Sequence, residues 1–156
     1  MAVDLHETLA EYRAGLDAEL TLLRQLDGLS LRNRTAVDEG EIAILHDIHT
    51  ARDRAMAALV AVEHDLAPLR AILADHRHLL QATQEFHQVA ALHREAAAMV
   101  NRIIASDRES MAALEEAELA RRAAATAMER GETTLQAYRR VIAPAASNAS
   151  LVNRRG

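Results

Sequence analysis

The sequence predicts an all-α protein: an elongated antiparallel helical hairpin, or coiled-coil-like bundle, of about three long helices with a flexible C-terminal tail. Three observations carry this. Apolar residues recur at alternating steps of three and four along nearly the whole chain, which places them on one side of a helix. Of the 156 residues 50% are hydrophobic, but alanine supplies much of that and aromatics only 2%, so any core is thin and suits closely spaced helices. Only two prolines and five scattered glycines interrupt the pattern. The domain organisation that follows is a single helical domain over 1–143 and a disordered tail over 144–156.

The first helix is expected from about Asp4 to the low thirties, with a seam of Leu5, Leu9, Tyr12, Leu16, Leu23 and Leu26 and with Leu20 beside it. Asp27-Gly28 is a candidate fraying point, since glycine commonly follows a helix C-terminus. Asn33 to Gly40 is the least periodic stretch of the first half. It ends in Asp38-Glu39-Gly40-Glu41, an acid at a capping position with Glu three residues on, and a break is placed there.

The second helix reads Ile42, Leu45, Ile48, Arg52, Met56, Leu59, Val62, Leu66, Leu69 and Leu73. Pro68 lies inside it, so the helix either kinks or restarts with Asp65 as N-cap and Pro68 in the first turn. A one-residue slip of the seam between Leu73 and Leu79 places the chain reversal between Asp65 and Arg77. The last helix is expected from near His78 as far as Ile142, its seam running Leu79, Ala82, Phe86, Val89, His93, Ala96, Val100 and Ile103. After weakening at Asp107 and Ser110 the seam resumes at Leu114, Ala117, Ala124, Met128, Leu135, Tyr138 and Ile142. Two interruptions are possible: Ser106-Asp107-Arg108-Glu109 has capping-box spacing, and Gly131 costs a helix about 1 kcal/mol against alanine. Beyond Pro144 no period remains, and disorder is expected.

Composition excludes several function classes. A net charge of −5 argues against nucleic acid as a partner. All basic residues are arginine; from Thr133 onward Arg139, Arg140, Arg154 and Arg155 stand without an acid, a weakly basic end on an otherwise acidic chain. Absence of cysteine removes disulfides and thiolate chemistry. The N-terminal residues lack a signal-peptide pattern, and the longest apolar run, Met56 to Val62, is too short to span a bilayer. A soluble cytoplasmic protein without stable membrane insertion is expected.

Catalytic and metal chemistry find little support. Di-iron bundles need paired Glu-x-x-His motifs, and no histidine here has Glu three residues before it. Asp75-x-x-His78 falls at the expected turn. His46 and His49 share an i,i+3 edge without a third ligand, whereas His46, His64, His76 and His87 read as surface or seam-flanking polar residues and His93 as a polar spacer. No nucleophile elbow or Gly-rich phosphate loop occurs. No enzyme, cofactor or metal site is expected.

The Ile103–Ile142 stretch says more. Asp107, Ser110, Arg121 and Gly131 occupy seam positions that self-burial would make apolar; a charge there sets register or stays solvated. Among them lie Met111, Leu114, Leu119, Met128, Leu135, Tyr138, Val141 and Ile142. Methionine is over-used where partner helices are accepted, so these eight residues form the candidate partner-binding surface. The alternatives are a frayed surface helix and self-association into a homodimeric coiled-coil adaptor.

Several stretches resemble the FlgN-type flagellar export chaperones. Leu16 to Leu26 (LDAELTLLRQL) and Glu41 to Leu66 (EIAILHDIHTARDRAMAALVAVEHDL) are similar to that family's opening helix, acidic break and second helix with a charged Arg-Asp-Arg centre. His93 to Ala117 (HREAAAMVNRIIASDRESMAALEEA) resembles its long helix, with Asn101 in the place of the family's asparagine. The tail from Tyr138 to Gly156 follows in the same order. Arg139 stands after the tail tyrosine, where members often have glycine, and Pro68 to His93 lies outside the likeness. The resemblance implies a cytoplasmic type III export chaperone without ATPase or cofactor, whose partners are the amphipathic helical termini of hook-filament junction proteins. It also implies recognition through the C-terminal helix and tail, with Tyr138 toward the export gate.

Overall fold

The computed structural model describes the backbone of residues 2–152 and the side chains of residues 2–140. Four helices follow in order: α1 (Leu5–Glu39), α2 (Ile42–Asp75), the single turn α3 (Arg77–Leu80) and α4 (Gln84–Val152). Among the described residues there is no strand, so the all-α expectation holds. The chain divides into two compact units, Met1–Ala113 and Leu114–Gly156.

In the first unit α1 starts at Asp4, whose carboxylate accepts from the backbone N–H of His6 (3.0 Å) and Glu7 (3.2 Å). This satisfies two of the donors that every helix N-terminus leaves free. Contrary to the low-thirties end read from the sequence, α1 continues to Glu39. Gly28 does not stop it, because Leu29 and Ala36 beyond it pack with Leu45 and Ile48 of α2. That burial outweighs a helix penalty of about 1 kcal/mol. The stop is Gly40, in the left-handed region at φ 71°, where its N–H reaches Val37 O and the Glu41 N–H closes on Ala36 O at 2.9 Å. A side chain is strained at that φ.

Helix α2 passes through Pro68 without ending. Asp65 is not an N-cap, and the reversal lies later than expected, over residues 76–83. Leu66 and Leu73, one on either side of the proline, are buried in the same cluster, and their packing holds the helix across the lost hydrogen bond. Thr83, not the neighbourhood of His78, opens α4: its Oγ accepts from the Phe86 N–H at 3.3 Å. Neither the Ser106–Glu109 capping signal nor Gly131 interrupts α4. Its helical backbone passes Ile142, and the tail expected over 144–156 falls where side chains, and for 153–156 the backbone too, lie outside the described residues.

The core is built in three layers. Leu9, Tyr12 and Leu16 pack with Leu66, Leu73, Leu80 and Val89. Leu20, Leu23 and Leu26 pack with Ala55, Ala96, Met99 and Ile103, and Leu29 and Ala36 with Leu45 and Ile48. As α1 numbers rise, α2 numbers fall and α4 numbers rise. So α2 runs antiparallel to both α1 and α4, a three-helix bundle with heptad seams. Close approach of α1 to α2 depends on Gly15: a Cβ there would run into Leu66 Cδ2, and Leu66 Cγ is only 3.1 Å away.

The α4 seam keeps Val89, Ala96, Ile103 and Ser110 as read in the sequence, but its second row runs through Leu92 and Met99 where the sequence reading has His93 and Val100. Val89, Ala96, Ile103 and Ser110 are buried at seven-residue steps, with Met99 between them. His93 and Val100 flank this line and keep solvent access. The row through Val89 and the row through Leu92 and Met99 face the bundle, with Phe86 packed against its first layer.

Candidate functional site

Leu114 to residue 140 forms a helix with hardly any burial of its own. Of the eight candidate residues, Leu114 is 39% exposed, Leu119 65%, Met128 69%, Leu135 58% and Tyr138 64%. Met111, at 61%, belongs to the first unit. The side chains of Val141 and Ile142 lie outside the described residues.

At about 100° per residue, Leu114, Met128, Leu135 and Tyr138 share one face. The nine-residue step from Leu119 to Met128 puts Leu119 on the opposite side, so the structure does not bring it to that stripe. Between the large residues stand Ala117, Ala124 and Gly131 on the same heptad. A Cβ at Gly131 would meet nothing within 4 Å. Large side chains alternating with gaps are what a second helix needs to approach and interlock.

Several polar side chains of this helix bond within it. Glu118 accepts two bonds from Arg121 and one from Arg122, each at 2.9 Å. Hydrogen bonding from Arg121, then from Arg122, lowers the Glu118 carboxyl to about 2. Arg121, the one charge on the stripe between Leu114 and Met128, is thus turned toward its own helix. Thr126, Thr133 and Thr134 bond carbonyls four residues back. With Arg121 held by Glu118, the face offers contact area to a partner.

The first unit holds two polar layers. In one, Arg52 reaches Asp107 through Nη1 (2.9 Å) and Nη2 (2.6 Å), and the Ser30 hydroxyl donates to Asp107 Oδ1 at 2.9 Å. Ser30 is wholly buried. In the other, the Arg70 Nε–H donates to the Tyr12 hydroxyl (3.1 Å), which is hydrogen-bonded to His93 Nε2 (2.9 Å). Burial, then the charge of Arg70, lowers the His93 pKa, which favours the neutral ring. Arg70 also binds Glu63 through Nη2. Sequence reading placed Arg52, Asp107, Tyr12 and His93 on seams, but their mutual pairing was not visible there.

Glu19 adjoins the second layer. Its carboxyl pKa is raised by burial first and by the charge of Glu63 second, and its Oε2 is enclosed without a hydrogen-bond partner. Above the raised value the folded state carries a penalised carboxylate; below the ordinary value of 4.5 both states are protonated and the penalty is gone. Glu19→Gln therefore raises the urea midpoint at pH 7 and leaves it unchanged near pH 4. The gain is at most about 1 kcal/mol, since the site is half-exposed and screened. An equal shift at both pH values would contradict this origin.

Among the described residues no group of three or more His, Asp or Glu side chains is placed to hold a metal ion, and no helix is long and apolar enough to cross a membrane. Compared with known protein families, characterised proteins and solved structures, the chain shows no match.

Proposed function

We propose that this chain is a binding protein and not an enzyme: a cytoplasmic export chaperone of the flagellar type III pathway that covers amphipathic helical termini of hook-filament junction proteins. The observation that carries the reading is the exposed stripe of Leu114, Met128, Leu135 and Tyr138, spaced by small residues, with Arg121, the charge between Leu114 and Met128, held by Glu118. An apolar terminal helix of a client, prone to polymerise by itself, finds there a complementary ridge and its gaps. The sequence likeness to FlgN-type chaperones supports the choice of client, and Tyr138 with the arginines that follow it is the element directed to the export gate.

The test is light scattering of the full chain alone and after co-expression with the hook-filament junction subunits of its own genome. A 1:1 complex with one of them is expected. A tight homodimer that ignores every junction subunit overturns the proposal and favours the homodimeric coiled-coil adaptor.

A further inference from the structure

One cavity of the first unit combines an apolar body with cationic groups at its wall. It measures about 220 Å³ and lies among α1, α2, α3 and α4. Leu9, Leu73, Phe86, Val89 and Ala90 supply its apolar surface. Its polar groups are Tyr12, His93, Arg70 and Arg77. Tyr12 is only 2% exposed, and its hydroxyl is held between Arg70 and His93, so this part of the wall is fixed before any ligand arrives.

The charges do not balance. Arg70 is neutralised by Glu63, whereas Arg77 makes no ion pair or side-chain hydrogen bond among the described residues, and no acid lines the cavity. An apolar cavity with a few convergent polar groups is the usual form of a small-molecule site. Here the unmatched guanidinium specifies an anion, and Arg suits a carboxylate.

We propose that this cavity binds a monocarboxylate on an apolar body, an alkanoate of about eight carbons, scaled from the roughly 150 Å³ that holds benzene. The alkyl chain lies against Leu9, Leu73, Phe86 and Val89, and the carboxylate meets Arg77 at the mouth. The site lies wholly in the first unit and does not depend on the stripe from Leu114 to Tyr138.

The experiment titrates the full chain with sodium octanoate and, separately, octan-1-ol, following NMR shifts of the residues around the cavity. Octanoate is expected to bind at least about tenfold more tightly than the alcohol, the worth of one charge-assisted contact. Arg77→Gln, at an exposed position, removes that preference while the alcohol binds as before, and Ala90→Phe fills the cavity and weakens both. Equal affinity of acid and alcohol, no shift with either, or undiminished octanoate binding in Arg77→Gln each overturns the proposal.

Discussion

Replacing Asp107 by alanine lowers the unfolding free energy of the helical bundle by about 2–3 kcal/mol, read as a fall in the urea midpoint at unchanged slope. The carboxylate receives both Nη groups of Arg52, at 2.9 and 2.6 Å, and the hydroxyl of buried Ser30. With the carboxylate gone, a guanidinium only 20% exposed keeps only the Ser30 hydroxyl as acceptor, and that wholly enclosed hydroxyl loses its own. Breaking a fully buried pair from one side costs about 3–5 kcal/mol. Asp107 keeps 33% exposure, so water recovers part of that. Removing both charges in Arg52→Met with Asp107→Leu recovers most of the loss, because no charge is then stranded. The pair also joins α2 to α4 at one register, which a uniformly apolar seam would leave free to slip by a heptad. A loss below about 0.5 kcal/mol for Asp107→Ala would place the pair with ordinary surface ion pairs.

Arg52 and Asp107 also show how far the sequence can be read. Each stands at an apolar position of its own heptad, and that anomaly is local and legible. That the two anomalies answer each other across 55 residues is a tertiary fact. The same distinction runs through the helix ends. Gly40 stops α1 because it takes the left-handed conformation, a requirement that the Asp-Glu-Gly-Glu segment announces. Gly28, Gly131, Pro68 and the Ser106–Glu109 box are equally audible signals, yet helix runs through all of them. For Gly28 and Pro68 the reason is packing of the flanking leucines, each worth about 1.5–3 kcal/mol when buried, against local preferences near 1 kcal/mol for a glycine and about 3 kcal/mol for a proline. On α4 the row through Val89, Ala96 and Ile103 is legible from spacing, but steps of three and four fit His93 and Val100 as well as Leu92 and Met99, and only packing against α1 and α2 selects the latter pair. In the candidate site, the face shared by Leu114, Met128, Leu135 and Tyr138 was readable from spacing. The placement of Leu119 behind it follows from the same arithmetic.

Leu23→Glu and Met128→Glu have opposite consequences although both replace a large apolar residue on a helical seam. Leu23 is 2% exposed in the middle layer of the bundle, packed with Leu20, Leu26, Met99 and Ile103. A carboxylate there finds no donor among those neighbours and loses several kcal/mol of hydration, while the leucine's own packing, about 2–5 kcal/mol, is lost as well. A bundle whose whole stability is on the order of 5–15 kcal/mol is left unfolded or close to it, which circular dichroism shows as loss of the cooperative melt. Met128 is 69% exposed, so Met128→Glu removes no internal packing, keeps a good helix former and moves the melting temperature by no more than a degree or two. Its effect, like that of Tyr138→Ala, falls on capture of a helical partner, where a charge set into the centre of an apolar stripe opposes docking. If Met128→Glu instead cost as much stability as Leu23→Glu, the stripe would be filled by the protein itself in solution, and the surface left for a client would have to lie elsewhere on the chain.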